Sequence, residues 1–310
     1  MRILITGGAG CLGSNLLEHW LPQGHQLLVL DNFATGKREL VPEVEGLALV
    51  EGSVADSGTV EGCFARFAPE VVIHSAASYK DPDDWAEDTR TNVLGSAHVA
   101  KAAAAHGARR VVNFQTALCY GRPRELPIPV DHPSAPFTSY GITKTAGEQF
   151  LLLSGVPTLS LRLANVTGPR LAIGPIPTFY KRLKAGQSCF CSDTARDFLD
   201  MQDFLRFMDL AIVDGAPSGV FNLSTGEPHT IREIFDIVAD HLGLGRPEVP
   251  VVPAGADDVP VVALDASATL AAFGWQPQVA FEDIIRRQLA WYDAHGVTDV
   301  YSHLKQPAGR

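Results

Sequence analysis

The first thirty-odd residues leave the chain few ways to fold. Arg2 to Thr6 is a short apolar strand that runs straight into Gly7-Gly8-Ala9-Gly10-Cys11-Leu12-Gly13, and a helix follows from Cys11 to about Leu21. A second strand, Gln26 to Leu30, ends in Asp31-Asn32. Glycines at 7, 10 and 13 permit a tight turn and a close backbone approach to a pyrophosphate, and they aim the first amides of the helix at that anion. A carboxylate about 20 residues further on accepts hydrogen bonds from a ribose 2′-hydroxyl and repels a 2′-phosphate. Asp31 therefore favours NAD over NADP, although Lys37 and Arg38 lie just beyond it. A glycine turn alone carries little information. Strand, turn, helix, strand and terminal acid in this order specify a dinucleotide site.

The alternation continues downstream. Leu47 to Val50 reads as a third strand, Gly58 to Phe67 as a helix and Val71 to His74 as a fourth strand. The small residues Ser75-Ala76-Ala77 after it let a cofactor approach the strand end. A long helix is expected from about Asp83 to His106, and a fifth strand, Arg109 to Gln115, delivers Thr116. Alternating strands and helices imply a doubly wound parallel α/β sheet with helices on both faces. With 310 residues there is room for that sheet plus a smaller lobe. The net charge of −10 speaks against nucleic acid or an anionic membrane as the main partner. No apolar run reaches membrane-spanning length, and the chain opens on a strand rather than a signal peptide. Five cysteines without framework spacing point to reduced thiols and a cytoplasmic setting. Cys189 and Cys191 read as alternate faces of a strand, and no metal site is expected.

Ser139-Tyr140-Gly141-Ile142-Thr143-Lys144 opens another helix, running to about Leu153. Residues four apart on a helix are neighbours, so Tyr140 and Lys144 stack. A free phenol titrates near about 10, and a fixed positive charge beside it favours the phenolate. Such a group can take a proton from an alcohol and return it. Tyr-x-x-x-Lys also arises by chance in many helices; here it follows a dinucleotide fold and a strand-end Thr116.

Together these pieces resemble the extended short-chain dehydrogenase/reductases, specifically the NAD-dependent sugar-nucleotide epimerases and dehydratases of UDP-galactose 4-epimerase type. The resemblance rests on the glycine turn, Asp31-Asn32, His74-Ser75-Ala76-Ala77, Asn92-Val93, Thr116, Tyr140 with Lys144, Leu161 to Pro169, and Arg196-Asp197-Phe198. Gln115 to Gly121 is similar to epimerases encoded with bacterial O-antigen genes. The resemblance implies that Gly7, Gly10, Cys11, Leu12 and Gly13 cradle the pyrophosphate of NAD, and that Asp31 and Asn32 hold the adenosine ribose. Ser53, Val54, Ser75, Ala76 and Ala77 would line the rest of the cofactor. Tyr140 is implied as general base and acid, Thr116 as its partner on the substrate hydroxyl, and Lys144 as the group that holds the nicotinamide ribose and tunes Tyr140. Asn165 and Arg196 are implied contacts of the substrate diphosphate. Asn92 is read as structural. The resemblance also implies a homodimer through the helices at 83–106 and 139–153.

Three departures bear on the substrate. Gly52-Ser53 stands where relatives usually have Gly-Asp, and Pro253 to Asp258 lacks an expected second phosphate-binding arginine. Arg170, Lys181 and Arg182 are the candidate replacements. Ala117 and Leu118 follow Thr116 directly, where dehydratases place a proton carrier. The expected activity is thus epimerisation of a nucleoside-diphosphate sugar through a 4-keto intermediate. Dehydration and net 4-keto reduction or dehydrogenation on the same fold are the alternatives, and an NAD sensor without activity is disfavoured by the intact Thr116, Tyr140 and Lys144. The expected division is a Rossmann domain at 1–164 with a return segment at about 196–225, and a substrate lobe at 165–195 and 226–310. Helices in that lobe are expected from Pro177 to about Ala185, Thr230 to about Leu242 and Phe281 to Tyr292. Glu227-Pro228-His229 reads as the start signal of the middle one.

Overall fold

A computed structural model describes residues 1–255 and 258–300. Ala256 and Asp257, part of the stretch without the expected arginine, and the last ten residues of the expected substrate lobe lie outside the described residues. The first half alternates as expected: β1 (Arg2–Thr6), α1 (Cys11–Trp20), β2 (Gln26–Asp31), β3 (Leu47–Glu51), α2 (Ser57–Phe67) and β4 (Val71–His74). The helix expected from Asp83 to His106 is instead three pieces. A single turn, α3 (Trp85–Asp88), passes into a π-helical segment, Thr89–Leu94, and then into α4 (Gly95–Ala105). β5 (Arg110–Thr116), α5 (Ser139–Leu153), β6 (Thr158–Leu163) and β7 (Asn165–Thr167) follow.

The second half contains α6 (Pro175–Lys184), β8 (Cys191–Ser192), β9 (Ala195–Asp200), α7 (Met201–Ala211) and β10 (Gly219–Leu223). After these come β11 (Pro228–Thr230), α8 (Ile231–His241), β12 (Val251–Val252), β13 (Val261–Val262), α9 (Ser267–Phe273) and α10 (Phe281–His295). Cys189 falls outside β8, so the two cysteines do not share a strand. Pro175 takes a first-turn position in α6, where its missing N–H costs nothing, and the helix starts two residues earlier than its apolar pattern suggested.

The central sheet has seven strands in the order β10-β6-β5-β4-β1-β2-β3, every pair parallel. Side chains alternate across a strand, and the core divides accordingly. Ile3, Ile5, Val29, Ile73 and Phe114 pack with α1 and α7 on one face, whereas Leu4, Leu28, Val72 and Val111 pack with α2, α4 and α5 on the other. Strands buried on both faces must be apolar at nearly every position, which is how these strands read. This is the Rossmann-type α/β architecture.

A smaller group of elements sits beyond the sheet. β7, β13 and β11 all pair with β9, the last of them antiparallel. α6, α8 and α10 enclose a separate apolar cluster that includes Phe179, Ile234, Phe235, Leu289 and Tyr292. Thr230 and Glu233 form a reciprocal capping box at the start of α8, so the polar residues just before it serve to begin a helix. Among the described residues no helix is long and apolar enough to cross a membrane, and no group of His, Cys, Asp or Glu could hold a metal ion.

Candidate active site

The glycine turn joins β1 to α1 at the carboxyl end of the parallel sheet, the edge where such folds bind ligands. Gly7 has φ +69°, and a Cβ on it would lie 2.7 Å from the backbone nitrogen of Ala76. The turn and the Ser75-Ala76 strand end are thereby pressed together, as the sequence reading required. A Cβ on Gly13 would lie 2.5 Å from the Cα of Gly8, so the start of α1 can approach the turn only without a side chain. Gly10 caps α1 with no side-chain hydrogen bond, which leaves the first-turn amides to an incoming anion. The cradle fits a pyrophosphate.

Asp31 is buried and does more than the sequence suggested. Its Oδ2 accepts the Ala9 amide at 2.9 Å and its Oδ1 the Phe33 amide at 2.8 Å, so the carboxylate clamps the glycine turn to the end of β2. Burial pushes its carboxyl above the usual range, against the pull of these amides. Exposed Asn32 accepts the Ala34 amide, and Ser53 Oγ the Ala55 amide. Val54 is buried against Gly95. Lys37 is bonded to Thr298 and Arg38 pairs with Glu51, so the two cations that clouded the choice between NAD and NADP are engaged elsewhere.

Thr116 ends β5, and its Oγ1 accepts the Leu118 amide at 3.2 Å, opening a short 3₁₀ turn, Ala117–Tyr120. This turn abuts the start of α5: a Cβ on Gly141 would lie 3.0 Å from the Leu118 carbonyl oxygen. Thr138 caps α5 by accepting the Gly141 amide. Leu118, two residues after Thr116, and Gly141, the residue after Tyr140, are thus held side by side. Tyr79, from the loop after β4, packs edge-on against Tyr140 with ring centroids 5.9 Å apart.

The electrostatics correct one expectation. The Tyr140 phenol is pushed above its ordinary value rather than below it, first by burial and then by Tyr79 and Asp88. Lys144 is buried as well, and desolvation pulls its ammonium down to about 8, opposed by Glu148. A buried lysine lowers a neighbouring phenol less than an exposed charge count suggests, because the same desolvation penalises both ions.

Several residues without an assigned role hold this region together. His74 is fully buried, bridges Thr6 Oγ1 and Ser96 Oγ at 2.9 Å each, and is kept neutral by burial with its pKa lowered to about 3. Asn92 sits in the π segment and is structural, as read: it accepts the Ser78 amide and donates to the Ser78 carbonyl and to Thr143 in α5. Asp88 ends α3 and accepts a hydrogen bond from Ser139 at 2.7 Å. Nothing in the sequence around Asp88 marks it, since acids crowd that whole stretch.

On the substrate side, exposed Asn165 donates to the Asp197 carbonyl, and the register of β7 on β9 sets it opposite Phe198, two residues from Arg196. Arg196 pairs with Asp258 and also donates to the Ala195 and Pro260 carbonyls. It does not pair with Asp197, whose carboxylate instead gathers the amides of Thr225, Gly226 and Leu264. Of the candidate replacements for a second arginine, Arg170 turns to α1, where it meets Asn15 and Glu18, and Arg182 donates to the Ser188 carbonyl.

A family profile, the NAD dependent epimerase/dehydratase family, matches residues 3–224. The chain belongs to this family. A UDP-glucose 4-epimerase of Mycolicibacterium smegmatis is 31% identical over 94% of this chain and 98% of its own. The Bordetella bronchiseptica enzyme WbmG, solved in complex with NAD and UDP, is 68% identical, with a TM-score of 0.93 over 98% of this chain and 97% of that one. A Thermotoga maritima UDP-glucose 4-epimerase, solved with UDP-glucose, superposes with a TM-score of 0.88 at 27% identity, covering 95% of this chain and 99% of that one. As a member of the NAD dependent epimerase/dehydratase family, the chain uses NAD, and its glycine cradle and Asp31 suit that cofactor.

Proposed function

We infer that the chain is an NAD-dependent nucleotide-sugar epimerase, an isomerase, and that it inverts its sugar at C4. The observation that carries this reading over dehydration is the turn after Thr116. A dehydratase needs a proton carrier there, to move a proton from C5 while the C6 hydroxyl leaves. Here the turn is Ala117-Leu118-Cys119-Tyr120. Its two titratable groups are buried, and burial pushes both the Cys119 thiol and the Tyr120 phenol up to about 12. The Tyr120 hydroxyl is spent on Asn222 at 2.6 Å and the Cys119 thiol is fully buried, so neither is presented to a substrate.

Gly7, Gly10, Cys11, Leu12 and Gly13 would hold the NAD pyrophosphate, Asp31 and Asn32 the adenosine ribose, and Ser53, Val54, Ser75, Ala76, Ala77 and Lys144 the remainder. NAD, when bound, accepts the hydride from C4 and gives it back. Tyr140 takes the proton of the C4 hydroxyl as the hydride leaves, with Thr116 holding the same oxygen, and a 4-keto sugar results. The flat ketone turns over, receives the hydride on its other face and recovers its proton from Tyr140. No cofactor is consumed. Asn165 and Arg196 bind the diphosphate, and the uridine diphosphate found with the similar proteins supports a UDP-sugar. The substrate lobe is read as 165–195 and 226–310, against a Rossmann domain at 1–164 with a return at about 196–225. The described cysteines are all free thiols, which suits a cytoplasmic enzyme.

Isotopic labelling tests the reaction. A UDP-hexose deuterated at C4 should give product that keeps its label, with no NADH accumulating. Substrate deuterated at C5 should keep that label in ordinary water. A dehydratase would lose it and yield a product lighter by one water; a net oxidoreductase would change NADH stoichiometrically.

We also propose that the protein is a homodimer through the helices at 83–106 and 139–153. Ala100, Ala103 and Leu151 belong to the core, whereas Leu94, Ile142, Phe150 and Leu153 stand exposed on the π segment and α5. An apolar face of this kind needs a partner. Light scattering at micromolar concentration should return twice the chain mass; a monomer would refute the pairing.

A further inference from the structure

β5 is a central strand covered on both faces, so its positions should be apolar throughout. On the face toward α5 it runs Val111, Asn113, Gln115, and the last two, 1% and 2% exposed, break that rule. Buried amides are tolerated where their hydrogen bonds are made. Asn113 donates to Ser160, which in turn donates to Glu148 of α5. Gln115 differs, because both of its contacts fall on residues of the site. Its Nε2 donates to the Lys144 carbonyl at 3.0 Å, and its Oε1 accepts the Thr116 amide at 2.8 Å. We propose that Gln115 is a positioning residue for the reaction: its one side chain ties Thr116, at the end of β5, to the turn of α5 that carries Lys144. This rests on the reading of Thr116, Tyr140 and Lys144 as the reacting site.

β4 accompanies β5 only as far as Asn113, so Phe114 to Thr116 have no strand on that side. The end of β5 is held there by the Gln115 side chain instead. A mid-helix carbonyl already accepts its own helical N–H, so the bond to Lys144 is a second one on that oxygen, and α5 does not need it to form. What the bond fixes is register between strand end and helix. Neighbouring ties do not reach Thr116 itself. Glu148, one turn beyond Lys144, is held by Ser160 and Arg162 of β6, and Gly141 is pressed against Leu118 on the other side. An amide suits the place because one end must donate and the other accept; a carboxylate cannot donate, and a thioether offers only a weak acceptor. Thr116 and Tyr140 must meet one sugar oxygen from two different elements, and a misplacement of about 1 Å can cost about 10²-fold in rate.

The test uses the full-length NAD-bearing enzyme with UDP-galactose as probe. Gln115→Met keeps the length of the side chain and removes both hydrogen bonds. Gln115→Glu keeps the acceptor for Thr116 and loses the donor to Lys144. Both should lower kcat, the Met variant by about 10- to 10²-fold, and leave KM unchanged, because Asn165 and Arg196 are untouched. With C4-deuterated substrate the isotope effect on kcat should grow, since misaligned groups slow hydride transfer relative to the steps around it. A loss of folded protein alone would lower the amount of active enzyme and move neither KM nor the isotope effect. A further readout needs no sugar: release of bound NADH, followed by its fluorescence, should be several-fold faster in both variants, because Lys144 on the nicotinamide ribose is no longer tethered. Unchanged kcat and isotope effect in Gln115→Met overturn the proposal, and the same result in Gln115→Glu overturns it should the Met variant not fold. If the wild type does not turn over UDP-galactose, the epimerase reading fails separately, and an unchanged rate of NADH release is then the result that overturns the role of Gln115.

Discussion

Replacing Tyr140 with Phe should cost between about 10²- and 10⁴-fold in kcat, the usual worth of a positioned acid–base group. Bound NAD should stay at its wild-type level. The ring supplies packing against Tyr79, which Phe retains, and the hydroxyl supplies the proton transfer. Assays of sugar inversion alongside the NAD content of the purified variant check both halves. A variant that keeps most of its activity removes Tyr140 from the chemistry, and one that loses NAD makes it a binding residue instead.

A second large effect is expected where no chemistry occurs. Gly147 lies in the middle of α5, and a Cβ there would sit 2.2 Å from the Asn92 carbonyl oxygen and 2.6 Å from Ser96 Oγ. Neither can yield easily. Ser96 also donates to that Asn92 carbonyl and meets His74 beneath, so the contact belongs to a closed polar network. Gly147→Ala should therefore destabilise the protein by about 3 kcal/mol or more, at the upper end of overpacking penalties. For a chain of this size the melting temperature should fall by roughly 5–10 °C. Thermal unfolding of the variant is the measurement, and an unchanged midpoint would mean that α5 can slide away from the π segment. Sliding would carry Tyr140 and Lys144 with it, so activity should suffer along with stability.

The sequence made the first half of the fold and the order of site elements legible, because both depend on local chemistry. Continuous apolar runs for strands buried on both faces, glycines where backbones touch and an acid at a strand end are all visible in a one-dimensional string. The π segment was not legible. Thr89 to Leu94 has ordinary helical periodicity, and only the need to turn Asn92 toward Ser78 and Thr143 distinguishes it. The upward push on the Tyr140 phenol was missed for a related reason. The spacing places Lys144 correctly, but burial and the charge of Asp88 come from segments distant in sequence. Arg196 shows the same limit, since its partner Asp258 lies 62 residues away, whereas the adjacent Asp197 is occupied by amides of the loop after β10 and of Leu264 beyond β13. Spacing predicts neighbours along one helix. Which acid meets which base across the fold depends on tertiary packing.

The place of β10 in the central sheet has a consequence for how the protein is made. This strand pairs with β6, yet residues 164–218 are translated between them. While the ribosome is still adding that stretch, β6 is an unpaired apolar edge beside an otherwise complete six-stranded platform. Such an edge is the kind of surface on which chains aggregate or recruit the wrong strand. That edge stays open through the middle of synthesis and is closed only when Gly219–Leu223 emerge to pair with β6.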